Sequence, residues 1–410
     1  MVEISRRGLF ATFAATGIAT AAAGYYAGSE VSKSPQSSPK VSPYGPFQPG
    51  IETPMQDQLS FLSFDLKDNN RESLRQLLIK WSNLASELME GTLAQVVAEN
   101  YDLPPSNTGE AIDAQPSGLS ITLGFGPTLF IDENDNDRFG IGHLIPKELR
   151  PIPRMPRDNF IPEASGGDIC VQICGENSTV VFHAARSFIR AAVGTATVKW
   201  SQTGFSGKVA GDHALTPRNL FGFKDGTQNP SSSESFRDVV WISDPEEPSY
   251  MQGGTYLAIR KIRMNIETWD RTSLREQEAV FGRTRFEGAP LSGGSEFSAP
   301  DFQLRDSSGA NLIPENAHLR LAHSSANGGL TMFRRGYNYN NGPDLVGYLD
   351  SGLMFLAFQK SVDKQFTPVL KRLSESDALN EYTSHIGSAV FAIPRGRVSQ
   401  DDFFGRQFFS

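Results

Sequence analysis

Residues 167–205, GDICVQICGENSTVVFHAARSFIRAAVGTATVKWSQTGF, decide the fold. GDICVQICGE (Gly167–Glu176) alternates as a strand does. TVVFHAARSFIRAAVG reads as a helix, and ATVKWSQTGF (Ala196–Phe205) as a second strand. Upstream, LSFLSFDLKD (Leu59–Asp68) alternates apolar and polar residues like a half-buried strand. Leu74, Leu77, Leu78, Trp81, Leu84, Ala85 and Leu88 then recur at three- and four-residue steps, one face of a helix, with Gly91 as its stop. This order predicts an α+β domain, an antiparallel sheet with helices on one face.

The second half repeats the theme. TYLAIRKIRMNIETWD (Thr255–Asp270) reads as a strand whose cationic residues lie on a solvated face. SLREQEAVFGR is helical, LTMFRRGYNY and GLMFLAFQ are strands, DKQFTPVLKRLSE is helical and AVFAIPRG closes as a strand. Two domains of similar ferredoxin-like plan follow, at 55–230 and 231–410.

The chain has 410 residues, a net charge of −8 and no strongly basic stripe, which argues against a nucleic-acid partner. Residues 1–24 carry Arg6-Arg7, then Leu9-Phe10 and a short apolar run, the pattern of a twin-arginine export signal. That predicts passage through the twin-arginine translocase to a periplasmic or extracytoplasmic location. Residues 25–54 are rich in Pro and Ser and predict a linker. The two cysteines, Cys170 and Cys174, lie four apart on a strand, roughly 13 Å, too far for a disulfide. They read as small buried residues.

Six histidines are available. His183 sits on an apolar helix and reads as a core residue. His143 and His385 have no partner at metal spacing, and His213 lies in a loop. His318 and His323, five apart, would point about 140° apart on a helix and would not chelate one metal together. One histidine is enough as a haem ligand, and Arg334 or Arg335 returns on a strand nearby. FGFKDGTQNP (Phe221–Pro230) has the Asp-Gly and Asn-Pro chemistry of a turn. The residues alone favour a structural turn, with Asp225 as an acid/base group over a cofactor as the other reading.

NLFGFKDGTQNP, EQEAVFGRTRFEGAPLSGG, NAHLRLAH with MFRRGYNY, GLMFLAFQ and DALNEYTSHIGSAVFAIPRG together resemble the dye-decolourising haem peroxidases. The resemblance is to their twin-arginine-exported, EfeB-type deferrochelatase/peroxidase branch, and it spans almost the whole chain after the signal. It implies two ferredoxin-like domains with one haem b per chain in the C-terminal one, and His318 as the proximal iron ligand with Asp377 as its acidic partner. It places Asp225 and Arg334 as the catalytic pair on the distal side. Gly226, Thr227, Gln228, His323, Ser324 and Ser325 are implied along the haem, and Phe355 over its distal face. The implied activity is oxidation of dyes, phenols or other donors by hydrogen peroxide; a homo-oligomer is expected, and Tyr337, Tyr339 and Trp269 are candidate electron relays by residue type alone. Release of iron from haem with the porphyrin intact, and non-catalytic haem carriage, are the alternatives.

Overall fold

The deciding stretch folds as a strand, a helix and a strand in a computed structural model that describes residues 40–92, 100–105, 107–208 and 215–410. The export signal, the linker up to residue 39 and His213 lie outside the described residues. The N-terminal half runs β1 (Gln58–Leu66), α1 (Arg71–Glu90), β2 (Ser120–Phe125), β3 (Ile169–Gly175), α2 (Ser178–Ala192) and β4 (Ala196–Phe205). Helix α1 starts where the Asn70 side chain accepts from the backbone N–H of Glu72 and Ser73, and stops at Gly91 with φ +76°. Strand order is β2-β3-β1-β4, all antiparallel.

The C-terminal half follows the same plan. It comprises β5 (Thr255–Met264), α3 (Leu274–Phe281), α4 (His318–Ala322), β6 (Phe333–Arg334), β7 (Tyr337–Pro343), β8 (Leu349–Gln359), α5 (Thr367–Ser376) and β9 (Thr383–Ile393). Its strand order is β9-β5-β8, with β6 and β7 sharing the far edge of β8. The expected strand 255–270 ends at Met264 and gives way to a helical turn over Ile266–Trp269.

The two sheets are joined at both edges, through Phe125 on Ala392 and Phe205 on Asn338. They face one another over a shared core of Leu59, Phe61, Trp200, Leu257, Ile259, Met354, Leu356 and Phe391. Cys170 and Cys174 are free thiols buried in this layer. Helices α1 and α2 cover the outer face of the first sheet through Leu74, Trp81 and Phe188. This corrects the half-buried reading of Leu59–Asp68: β1 is covered on both faces, because the face away from the helices meets the second sheet. Among the described strands, β4 alternates most cleanly in its burial and keeps a solvent-facing row.

Residues 40–54, expected in the linker, pack against the body. Ile51 is fully buried and Phe47 stacks on Trp241 at 4.1 Å. The Gln48 amide donates to Leu123 O (2.9 Å) and Pro394 O (3.0 Å), one carbonyl from each half. Those carbonyls would otherwise be buried without a donor, which is why a Pro-rich segment is ordered here.

Candidate active site

The outer face of the second sheet forms one wall of a cavity. Ile262 and Met264 of β5, Leu353 and Phe355 of β8 and His385 of β9 line it, and Leu319, Val369 and Leu370 of α4 and α5 close it from the other side. Alternation along the strands puts these side chains opposite the ones between the sheets.

Asp225 reaches the cavity on a loop anchored by aromatics. Phe221 lies 4.5 Å from Trp269, and Phe223 stacks on Phe281 at 3.9 Å between ring centroids. The Asp225 backbone N–H donates to Pro217 O at 2.9 Å. Gly226 follows with φ +108°, a conformation that side chains rarely adopt. The turn reading and the acid/base reading are therefore compatible: the turn aims the carboxylate into the cavity.

His318 opens the five-residue helix α4, and Ala317 before it has no capping side chain. Its Nδ1 lies 2.6 Å from Asp377 Oδ2. Asp377 caps the end of α5, and its Oδ1 accepts from the Leu379 N–H at 2.9 Å, so the carboxylate cannot swing. Burial works against a charged His318, but the charge and hydrogen bond of Asp377, and then the charge of Asp225, outweigh it and raise its pKa. The Asp377 carboxylate fixes Nδ1 by hydrogen bonding, so Nε2 is the nitrogen left to meet a ligand.

Arg334 ends the two-residue strand β6, and its Nη1 stands 3.6 Å from Asp225 Oδ1. The neighbouring Arg335 turns the other way. It is buried between the sheets and donates to Thr53 O at 2.6 Å and to Gln56 Oε1. Strand alternation thus separates two arginines that spacing alone left equivalent.

Gly226, Thr227, Gln228, His323, Ser324, Phe355 and Asp377 also line the cavity, together with His318, Asp225 and Arg334. Ser325 does not. Its Oγ lies 2.8 Å from His323 Nδ1, which also accepts from its backbone N–H, so it holds the histidine in place. His323 Nε2 lies 3.1 Å from the Gln228 amide. Burial and then the charge of Arg283 lower the His323 pKa. His183 is the core residue expected, with Nδ1 3.1 Å from Thr108 Oγ1. Trp269, Tyr337 and Tyr339 are all buried.

Three features were missed from the sequence. Asn229 clasps the Arg334 backbone: its Nδ2 donates to Arg334 O (2.6 Å), and its Oδ1 accepts from Arg334 N (3.0 Å). Glu296 accepts from Lys224, Thr216 and Thr227. Arg260, expected on a solvated face, is fully buried on the cavity wall, with Nη1 3.0 Å from both carboxylate oxygens of Asp158. That pair forms because residues 158–161 run beside β9, where the N–H groups of Asn159 and Ile161 donate to His385 O and Ile386 O. Asn229 lies inside a stretch already singled out, but no local spacing links it to a residue 105 positions away.

The donor set suits a haem. One imidazole offers a single nitrogen backed by a locked carboxylate, apolar side chains flank the cavity, and polar groups on the Thr227–Gln228 and His323–Ser324 segments stand at one edge.

Two family models match the chain: Dyp-type peroxidase, N-terminal, over residues 48–206, and Dyp-type peroxidase, C-terminal, over 216–398. A curated relative, the Deferrochelatase of Escherichia coli strain K12, is 36% identical over 374 residues, spanning 88% of this chain and 85% of its own. The structure of ferric DtpA from Streptomyces lividans aligns with a TM-score of 0.82 at 36% identity, covering 91% of this chain and 98% of that one. A DyP-type peroxidase from Cellulomonas bogoriensis aligns at 0.81 with 35% identity, covering 91% and 99%.

Proposed function

The chain belongs to the Dyp-type peroxidase family, and from that premise we propose that His318 binds the iron of haem b and that Asp225 and Arg334 act together on hydrogen peroxide. The carrying observation is that the bonded His318–Asp377 pair and the Asp225–Arg334 pair line one cavity. Haem, when bound, supplies the iron that accepts peroxide oxygen and the two electrons that reduce it. The protein's part is positioning and proton transfer.

Asp377 orients the His318 ring and holds its Nδ1 proton, which makes Nε2 a stronger donor. Asp225 takes the first proton of hydrogen peroxide on a carboxylate oxygen and returns it to the outer oxygen, which leaves as water. Arg334 stabilises the negative charge that grows as the O–O bond breaks. The apolar residues of β5, β8 and α5 exclude bulk water and strengthen both interactions. Dyes, phenols and similar donors then return two electrons, one at a time.

The test is the visible spectrum of the purified protein. A Soret band that shifts when peroxide is added, and returns when a dye is added, is the expected result. Protein that takes up no haem, or haem that ignores peroxide, rejects the reading.

The 36% identity to a protein named Deferrochelatase favours a second activity, removal of iron from haem with the porphyrin left intact. Incubation with haem should then yield metal-free porphyrin, identified by mass and absorbance. The Arg6-Arg7 signal supports export by the twin-arginine route to an extracytoplasmic site, which fractionation of cells carrying the parent or an Arg6→Lys, Arg7→Lys variant would reveal.

A further inference from the structure

Past its aromatic anchors, Phe221 and Phe223, the loop that carries Asp225 is open at Gly226. A Cβ placed on Gly226 would meet one atom within 4 Å, the Asn229 amide nitrogen at 3.5 Å. There the side-chain hydrogen bonds on either side of Asp225 converge on Glu296. Lys224, immediately before Asp225, pairs through Nζ with Glu296 Oε2. Thr227, two residues after Asp225, donates from Oγ1 to Glu296 Oε1 at 3.2 Å. Thr216, next to the Pro217 carbonyl that receives the Asp225 N–H, donates to the same Oε1. One carboxylate therefore ties both flanks of Asp225 and the Thr216–Pro217 segment that accepts its N–H.

Glu296 is itself well held. Its side chain is 9% exposed, and its backbone carbonyl accepts from Arg283 Nη1 at 2.9 Å. It stands behind the loop and is not among the residues lining the cavity. At the far end of the loop, Asn229 clasps the Arg334 backbone through both atoms of its amide. The distance between the Asp225 carboxylate and the Arg334 guanidinium is thus set by a short frame with Glu296 at one end and Asn229 at the other.

We propose that Glu296 is a positioning residue for peroxide cleavage: by holding Lys224 and Thr227 it fixes Asp225 relative to Arg334 without touching peroxide itself. This rests on the peroxidase reading of the site. The charged groups facing Glu296 are Lys224 and, through its backbone carbonyl, Arg283. Glu296→Gln keeps the volume and an acceptor for Thr227 but leaves Lys224 unpaired, so the loop gains a way to shift. A displacement of about 1 Å at such a site costs up to about a hundredfold in rate.

The experiment uses haem-loaded parent, Glu296→Gln, Glu296→Asp and Asp225→Asn proteins. Fluoride affinity of the ferric proteins, read from the visible spectrum, reports the hydrogen-bonding groups opposite His318 without turnover. Stopped-flow rates with peroxide report the reaction. Glu296→Gln should bind fluoride about tenfold more weakly and react with peroxide about ten- to a hundredfold more slowly, with the dye KM unchanged and haem content per chain as in the parent. Glu296→Asp, which keeps the charge, should recover part of both losses. In an Asp225→Asn background the Glu296→Gln change should add little to the loss in peroxide rate. Parent-like fluoride affinity and peroxide rate in Glu296→Gln, beside a slow Asp225→Asn, overturn this inference and leave the peroxidase reading standing. Parent-like behaviour of Asp225→Asn as well overturns the catalytic reading itself. If Glu296→Gln loses only haem content or thermal stability, while its loaded fraction behaves as parent, the residue is structural and the inference fails.

Discussion

His318→Ala removes the nitrogen proposed to bind iron, and the expected outcome is protein that holds haem weakly or not at all. His323→Ala should keep both the haem and the axial-ligand spectrum, because His323 bonds to Gln228 and Ser325 at the cavity edge. Loss of haem from the second variant alone would reverse the ligand assignment. The two adjacent arginines give a sharper contrast. Arg334→Leu should slow peroxide cleavage by the equivalent of about 2–4 kcal/mol, the cost of losing one donor to a developing charge. Arg335→Leu should leave the stopped-flow rate nearly unchanged. It should lower stability by about 1–3 kcal/mol, since the Thr53 carbonyl and the Gln56 side-chain oxygen lose their donor inside the protein. Denaturant melts and peroxide kinetics on the pair would show the two losses separated, and equal kinetic defects would mean that the strand faces are misassigned.

At the scale of elements, β8 forms a wall of the site and is bonded on both edges. It pairs with β5 from Tyr256↔Gln359 to Arg263↔Gly352 and with β6 and β7 on its other side. Leu353 and Phe355 therefore face the cavity while Met354 and Leu356 face the first sheet. Gly352 is the narrow point: a Cβ there would lie 1.9 Å from Ile262 O, a backbone atom with no freedom to rotate away. Gly352→Ala should destabilise the fold by about 1–3 kcal/mol, the range for overpacking, and should loosen haem by displacing Leu353. Unfolding midpoints and haem retention measured together test this, and a variant as stable as the parent would rule out the close strand approach. Strand β2, SITLGF, went unread in the sequence for a related reason. It is buried on both faces and has no alternation to mark it.

The whole molecule responds to pH through groups that folding buries. His385 sits on β9 in the cavity wall, and its Nδ1 has no hydrogen-bond partner among the described residues. Burial, followed by the charge of Arg260, pushes its pKa down to about 4 from an ordinary value near 6.5. Between these values the unfolded chain binds a proton that the folded chain refuses. The folded state is therefore favoured fully above about pH 6.5, loses stability as pH falls toward about 4, and loses no more below that. The contribution is roughly 3 kcal/mol at most. Denaturant unfolding across this window should show a steeper decline in the parent than in His385→Gln. Identical slopes would mean that the imidazole is hydrated in the folded protein.

Periodicity was enough to place most strands and helices, because each half is a strand–helix repeat whose apolar steps follow from local geometry. The GFKDGT stretch of Gly222–Thr227, with the His318 and Arg334 segments, carried the family resemblance, and with it most of the candidate site. Local sequence could not show that two sheets meet face to face. That contact buries the second face of β1 and β3 and makes their patterns nearly continuous. Nor could spacing choose Arg334, singled out only by the resemblance, over Arg335, since adjacent strand residues are distinguished only once each face has something to touch. The Asn229–Arg334, Glu296–Lys224 and Arg260–Asp158 contacts join residues between 72 and 105 positions apart. Hydrogen bonds of that reach exist only after the chain has closed on itself, so the frame around Asp225 was decided by tertiary structure alone.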